Sequence, residues 1–220
     1  MRPNDNILGG IMTITTEDSG TTTTSTGTGV TLGVHQLGAA LLNVLPHASK
    51  DGTLPILGCV RFEVTPDTVT LIATDRYSMG VQKIPCENGS TMDLNLTVDF
   101  CKQLVKACKA QRGGYVHISA HGDGSVTAQF ADCAFTSQTL VATFPKWRSL
   151  IDAPTPAPVG SVALGPFNLV KFGKIYDHNM TALRIPTVVF TFNGDNRPVS
   201  VSVGGLGSFR ALVMPIRLSN

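Results

Sequence analysis

The chain has 220 residues, with 17 Lys and Arg against 15 Asp and Glu, and a formal net charge of +2 at pH 7. This length allows one large or two small domains. A charge this small does not by itself indicate a nucleic-acid-binding protein, so that argument depends on where the cations lie. The sequence has no apolar run of about 18 residues, the length that a membrane-spanning helix needs, and no secretory signal pattern at its start. We therefore expect a cytoplasmic protein that has no membrane partner.

Composition divides the chain into four zones. Residues 1–29 are rich in Thr and are predicted to be a flexible leader. Residues 153–158 are rich in Pro and are predicted to be a stiff linker. The two folded zones are then residues 30–152 and residues 159–220.

From Val30 onward one pattern, a strand, a helix and three strands, occurs three times. The equivalent points at which the helices begin are Leu32-Gly33-Val34, Leu96-Thr97-Val98 and Leu164-Gly165-Pro166. They are separated by 64 residues (96 − 32) and then by 68 (164 − 96). A nearly fixed period indicates a repeated structural unit.

Apolar residues at helical spacing predict the three helices. The first helix carries Leu37, Leu41, Val44 and Leu45 and ends near Pro46; the second carries Phe100, Cys101, Leu104, Val105 and Cys108; the third carries Phe167, Leu169, Phe172 and Ile175.

Alternating residues such as Val60, Phe62 and Val64 predict strands, which turn signals such as Gly122-Asp123-Gly124 join into hairpins. The pattern indicates an α+β fold with antiparallel sheets and helices on one face. The first two repeats are expected to form one domain. The third repeat is too small to bury its own faces, so it should pack on that domain or on another chain.

Three segments resemble a known family. They are Ile72–Met79 (IATDRYSM), Phe135-Thr136-Ser137 followed by Phe144–Arg148 (FPKWR), and Ala211–Leu218 (ALVMPIRL). In this order, and on this repeat frame, they resemble the middle domain and the C-terminal end of the bacterial DNA polymerase III beta sliding clamp. The resemblance implies the DNA-clamp fold, with antiparallel sheets outside and helices lining a ring.

The same resemblance implies a non-enzymatic polymerase processivity factor. Its partners would be double-stranded DNA, a replicative DNA polymerase and a clamp loader, with no cofactor. A subunit of that family has six repeats, so three repeats suggest a shortened, phage-type member acting in an infected cell. Since the family's rings contain twelve repeats, three per chain imply a homotetramer (12 / 3 = 4).

Basic residues follow one face of two predicted helices, roughly opposite the apolar face. The second helix has Lys102, Lys106 and Lys109, with Arg112 just beyond, and the third has Lys171, Lys174 and His178. Lys50 near the end of the first helix is a weaker candidate. Lysines attract phosphates without reading bases, which suits a sliding contact with DNA. The alternative is an ordinary solvated helix face.

The resemblance further implies an apolar pocket for a partner's peptide. The matching positions are Thr74, Arg76, Tyr77, Met79, Pro145, Leu150, Leu212, Met214, Pro215, Ile216 and Leu218. An apolar groove with Met and Tyr suits an extended peptide. The residues from Met214 onward could equally be a terminal strand that faces the core, and both roles can coexist.

Other functions have less support. The five His residues are dispersed and the five Cys residues form no C-x-x-C pair, so we expect no metal site. Asp75 has no carboxylate partner nearby and is expected to cap a turn. Two alternatives stay open: a clamp-like decoy that binds clamp-interacting peptides without encircling DNA, and an enzyme whose site is assembled from distant segments.

Overall fold

Each of the three long helices is followed along the chain by at least three antiparallel strands. The structure is a computed structural model, and it describes residues 28–87, 89–152, 155–179 and 187–217. The strands are β1 (Thr28–Gly33), β2 (Cys59–Val64), β3 (Thr68–Thr74), β4 (Ser78–Pro85), β5 (Met92–Thr97), β6 (Tyr115–Ala120), β7 (Ser125–Gln129), β8 (Ala134–Gln138), β9 (Val188–Thr191), β10 (Val199–Val203) and β11 (Phe209–Val213). The helices are α1 (Val34–Val44), α2 (Val98–Ala110), α3 (Arg148–Ile151) and α4 (Pro166–Asn179).

The strands form two sheets. One has four strands in the order β1-β6-β7-β8, and the other has seven in the order β5-β2-β3-β4-β11-β10-β9. Every strand pair in both sheets is antiparallel. The predicted α+β class with antiparallel sheets is therefore confirmed, and α1, α2 and α4 begin at the three residues that the repeat predicted.

The first two repeats form one unit of structure because they exchange their first strands. The first repeat is β1, α1, β2, β3 and β4, and the second is β5, α2, β6, β7 and β8. Strand β1 pairs with β6 of the second repeat, and β5 pairs with β2 of the first. The apolar faces of both sheets and of α1 and α2 share one core, in which Phe62, Leu71, Leu104 and Ile118 are fully buried.

The third repeat consists of α4, β9, β10 and β11. It extends the larger sheet, because β11 pairs with β4 in a register that places Ala211 opposite Gly80. The predicted strand before its helix is not formed. Between residues 155 and 165 only Ala157 and Ala163 make single bridges, to Asn193 and Ile216. In the other repeats this strand pairs with the opposite repeat, and within the described residues the third repeat has no such partner.

The predicted leader and linker are described only in part. Strand β1 begins at Thr28, opposite Ala120, so the leader predicted to end at residue 29 is two residues too long; the rest of it lies outside the described residues. Residues 153–154 of the linker also lie outside them. Its later part contacts the third repeat, where the Ala157 amide donates to the Phe192 carbonyl over 3.0 Å.

The predicted apolar face of α4 is only half correct. Phe172 and Ile175 are buried against β10 and β11. Phe167 is 86% exposed and Leu169 is 40% exposed. The described helices include none that is long and apolar enough to cross a membrane.

Candidate DNA and partner interfaces

Helix α2 presents a row of lysines to solvent because its opposite face is anchored in the core. The Thr97 hydroxyl accepts a hydrogen bond from the Phe100 amide at 3.3 Å and caps the helix. Phe100, Leu104 and Cys108 are buried on the inner face. The predicted lysines, Lys102, Lys106 and Lys109, are all exposed.

One carboxylate lies beside this lysine row. Lys102 Nζ is 3.1 Å from Asp99 Oδ1, and both side chains are more than half exposed, at 60% and 87%. An exposed pair of this kind contributes little stability and is screened by salt. The row therefore keeps a net positive charge.

Helix α4 carries an exposed lysine at the position equivalent to Lys106 of α2. Lys174 is exposed, and it follows the first residue of α4 by the same number of positions as Lys106 follows Val98 of α2. Lys102 of α2 and Lys174 of α4 border one cleft, described below, so the cations of the two helices lie on one side of the molecule.

Lys171 does not belong to this exposed set. Its side chain is only 14% exposed and forms an ion pair with Asp75. Lys171 Nζ also donates to Ser78 Oγ at 2.6 Å and to Asn168 Oδ1 at 3.0 Å. Because its donors are already engaged, Lys171 joins α4 to the first repeat instead of offering a charge to DNA.

His178 is a weaker cation than its position suggested. It is exposed at the end of α4, but burial of the ring, followed by the charge of Lys109, lowers its pKa below the usual 6.5. Asp177 opposes that effect only in part. At neutral pH the imidazole is mostly uncharged, so it can donate a hydrogen bond but adds little positive charge.

The remaining predicted cations, Lys50 and Arg112, are both exposed. Lys50 lies in the loop after α1 and borders the cleft described next. Arg112 follows α2, where its carbonyl accepts from His35 Nε2 at 3.3 Å.

A cleft of about 880 Å³ lies where the first and third repeats meet. Its walls come from the loop after α1, the turn between β3 and β4, the outer face of α4 and the segment after β11. Five predicted peptide-pocket residues line it: Arg76, Tyr77, Met214, Pro215 and Ile216. Four predicted DNA residues also border it: Lys50, Lys102, Lys171 and Lys174. The cleft thus joins apolar walls to a strongly basic rim.

The other predicted peptide residues are not gathered in this cleft. Met79 and Leu212 are buried in a small cluster with Phe144, Trp147 and Ile151 on the other face of the sheet. These two residues therefore pack in the core and do not line an open pocket.

Thr74 is also buried, and its hydroxyl donates to the Ser78 carbonyl at 2.8 Å. Pro145 borders a second groove of about 500 Å³, and Leu150 is 45% exposed on α3. Leu218 lies outside the described residues.

Asp75 caps the turn between β3 and β4, as predicted. Its Oδ1 accepts hydrogen bonds from the amides of Tyr77 (3.1 Å) and Ser78 (2.8 Å). The turn brings Arg76 into a backbone conformation with a φ of 77°, which is uncommon for a residue other than Gly. No local pattern indicated that Asp75 would also pair with Lys171 on a distant helix.

Glu63 alternates with the apolar residues Phe62 and Val64 along β2, yet it is buried as well. Burial by itself would raise the pKa of this carboxyl, yet hydrogen bonds from Arg61 and Trp147 and the charge of Arg148 lower it below its usual value. Arg61 Nε donates at 2.8 Å and Trp147 Nε1 at 3.1 Å. The cluster fixes the segment after β8 on the sheet.

His47 is fully buried between the first and third repeats. Its ring lies 5.7 Å from that of Phe172 and 6.2 Å from that of Phe209, and Nδ1 is 3.0 Å from Ser78 Oγ. Burial, and then the charge of Lys171, lowers the pKa of His47 to about 3. The ring is therefore neutral at ordinary pH and acts as a packing residue.

The described residues contain no group of three or more His, Cys, Asp or Glu side chains that could hold a metal ion. Burial raises the pKa of the Cys108 thiol to about 11 and raises that of Cys101 as well. These cysteines are protonated core residues and are poor metal ligands or nucleophiles.

Comparison with known proteins agrees with this geometry. A family model described as the DNA polymerase III beta subunit, central domain, matches residues 31–146. The beta sliding clamp of Micrococcus luteus is 31% identical over 131 residues, which is 57% of this chain and 42% of that protein. The chain thus spans less than half the length of this curated relative.

Solved structures show the same fold. The DNA polymerase III beta subunit of Thermotoga maritima superposes on 92% of this chain and 69% of its own, with a TM-score of 0.72 and 14% identity. The DNA polymerase sliding clamp of Bacillus subtilis superposes on 92% of this chain and 67% of its own, with a TM-score of 0.73 and 14% identity. On the match of the family model to more than half of its residues, the chain belongs to the family of the DNA polymerase III beta subunit.

Proposed function

We propose that this protein is a subunit of a DNA sliding clamp, a ring that encircles duplex DNA without sequence specificity and holds a polymerase there. The observation that carries the proposal is the exposed lysine row of α2, which is continued by Lys174 of α4 on the same side of a clamp fold, where Lys102 and Lys174 border one cleft. A lone basic helix could be a solvated face. Two basic helices on the helical side of such sheets are what an inner wall facing phosphates requires.

The chemistry of the contact suits sliding. Lysine ammonium groups are point charges that attract phosphates and do not distinguish bases. Each phosphate contact releases counterions, so direct affinity falls steeply with salt. A closed ring holds DNA by its topology, and weak contacts are then sufficient.

Ring closure needs more than one chain. Three repeats per chain, in a ring of the twelve repeats that the family resemblance implies, correspond to four chains. Strand β8 supports association, because it ends the four-stranded sheet and no strand in the described part of the chain pairs with its outer edge. An open sheet edge is a ready site for pairing with another chain.

The cleft between the first and third repeats is the proposed docking site for the polymerase. Tyr77, Met214 and Ile216 supply apolar contacts, and Arg76 supplies a cation beside them. This combination suits an extended peptide with apolar and acidic residues. The proposed role requires no chemistry at the protein.

Native mass spectrometry of the purified protein tests the ring, and we expect a mass of four chains. A monomer at micromolar concentration would contradict it. A monomer that still binds the polymerase through the cleft would favour a decoy that captures clamp-binding peptides without encircling DNA.

A further inference from the structure

Helix α4 has an exposed stripe of residues, which includes Leu169 and Gly173, although the equivalent residues of α1 and α2 are buried. Counted from the first residue of each helix, Leu169 of α4 occupies the place of Leu37 in α1 and Cys101 in α2. Both counterparts are completely buried, whereas Leu169 is 40% exposed. By the same comparison, Gly173 is equivalent to Leu41 of α1 and to Val105 of α2. Gly173 is exposed, whereas Leu41 and Val105 are buried.

In the complete domain this stripe is where two helices pack on each other. The contact between α1 and α2 is close, because a Cβ added to Gly38 would lie 3.1 Å from the Cβ of Cys108. Helix α4 also has a small residue in its stripe, since a Cβ added to Gly173 would meet no atom within 4 Å. A second helix can therefore approach α4 as closely as α2 approaches α1.

The sheet of the third repeat is incomplete at the matching edge. In the complete domain, β2 and β6 each receive the first strand of the opposite repeat. Their counterpart β9 ends the seven-stranded sheet, and in the described residues no strand pairs with its outer edge. Val189 on this strand is 48% exposed. The segment that would supply the reciprocal strand, residues 159–165, makes only the single bridge at Ala163.

We propose that the third repeats of two copies of this chain join about a two-fold axis into one complete clamp domain, with α4 packed against α4 of the second copy and β9 pairing with residues 159–165 of that copy. The proposal deepens the proposed function, on which its place in a ring rests. The pairing itself rests on the exposed stripe and the open edge.

A second copy is the fitting occupant because the surface is self-complementary. In the complete domain, the first strand of each repeat pairs with the strand that follows the helix of the other repeat. The same exchange between two chains needs, in each chain, a free segment before the helix and a free edge on the strand after it. Every copy of the third repeat offers both, at β9 and at residues 159–165. In the first and second repeats these strands are already paired, β1 with β6 and β5 with β2, so they cannot receive the third repeat of another chain.

This pairing also determines how a ring would close. Two chains joined in this way contain six repeats, in the order second, first, third, third, first, second. The strands left at the two ends are both β8. Since β8 has the same place in its repeat as β4 and β11, which pair antiparallel with each other, two such pairs can close through β8 against β8 into a ring of twelve repeats.

The test is the oligomeric state of Leu169→Asp, with Val141→Asp as the matched control, because Val141 is 94% exposed in a loop outside this surface. We expect native mass spectrometry to show particles of half the wild-type mass for Leu169→Asp and the wild-type mass for the control. Equal thermal unfolding of the two variants verifies that both are folded. A Leu169→Asp particle of unchanged mass, or a wild-type monomer, would overturn the proposal.

A cross-link locates the contact independently. Gly173→Cys is placed in a background of Cys86→Ser and Cys133→Ser, which removes the two half-buried native thiols. Mild oxidation should give a disulfide-linked dimer through residue 173, identified by mass spectrometry of the linked peptide. A cysteine at Lys83, on the far side of the molecule, should give none. If the Gly173→Cys variant assembles to the same mass as the wild type but forms no dimer linked through residue 173, the contact lies elsewhere and the interface is refuted.

The outcomes separate this inference from the proposed function. An oligomer that cross-links at residue 173 but is not retained on circular DNA sustains the interface and contradicts the clamp. If the protein is retained on circular DNA, but Leu169→Asp keeps the wild-type mass and no cross-link forms at residue 173, the clamp is sustained and the interface is contradicted.

Discussion

Lys171 on α4 forms a largely buried ion pair with Asp75 in the turn between β3 and β4. The pair joins the third repeat to the first at the floor of the cleft. It also removes Lys171 from the exposed cations of the helices, although its spacing in the sequence placed it among them.

We expect Asp75→Asn to lower the free energy of unfolding by about 2–4 kcal/mol, because Lys171 would remain largely buried without a charged partner. The amide keeps an oxygen for the turn, so the loss reports on the ion pair. Urea unfolding measures it. The double variant Asp75→Asn with Lys171→Met should lose less than Asp75→Asn alone, and a larger loss would contradict this role of the pair.

Lys171→Met should leave DNA binding nearly unchanged, whereas Lys106→Met, at an exposed position of α2, should weaken it. The difference is expected in the slope of log K against log salt, which loses roughly 0.9 for each phosphate contact removed. Fluorescence anisotropy with a short duplex at several salt concentrations gives both slopes. Equal slopes for the two variants would show that Lys171 is not sequestered.

Reversing the charges of Lys102, Lys106 and Lys109 to Glu should reduce loading on DNA and polymerase processivity without unfolding the protein, since all three side chains are exposed. Primer extension measures the length of product in one binding event. Lys83→Glu, an exposed lysine on β4 away from the helices, is the control and should extend as the wild type does. Unchanged processivity in the triple variant would count against α2 as an inner wall.

The stability of the protein should depend on His47 in acid. The folded pKa is about 3 against an ordinary 6.5, so below pH 6.5 the unfolded chain binds a proton that the folded chain excludes. Stability is then complete above pH 6.5 and falls by about 1.4 kcal/mol per pH unit toward pH 3.

The variant His47→Leu removes this titration, and its unfolding free energy should vary less between pH 7 and pH 4.5 than that of the wild type. Other groups, including Glu63, still contribute below about pH 4.5. Urea unfolding at the two pH values decides the matter, and identical pH dependence in the two proteins would exclude His47 as the source.

Removing residues 216–220 should abolish polymerase binding and leave oligomerisation intact, because Ile216 lines the cleft. Ile216 bridges Ala163, but it is not itself one of the residues proposed to pair between chains. Tyr77→Ala should weaken binding about tenfold or more through the loss of a large apolar contact. Val141→Asp is again the control. Pull-down of a purified replicative polymerase, with native mass in parallel, measures both properties, and full binding by the truncated chain would refute the cleft assignment.

The sequence predicted what depends on local pattern. Helices α1, α2 and α4 begin at the residues that the repeat indicated, because helical spacing is a local signal. The buried face of α2 was likewise correct, since its apolar residues recur at one helical period.

The sequence could not predict what depends on distant contacts. Glu63 is buried by Trp147, which is 84 residues away, and Lys171 is paired with Asp75 at a separation of 96 residues. Both partners are too far away along the chain for a local sequence pattern to indicate the contact. The missing strand before α4 was predicted by analogy with the other repeats, but a strand forms only where a neighbour can pair with it.

Retention on circular and linearised DNA tests the encircling ring most directly. The protein is loaded with a clamp loader onto a nicked circular duplex, washed in high salt to remove contacts made by charge alone, and the circle is then cut once. We predict that the protein remains on the intact circle and leaves after the cut, because a ring slides off free ends. Equal retention before and after the cut, or none on the circle, would contradict the encircling ring.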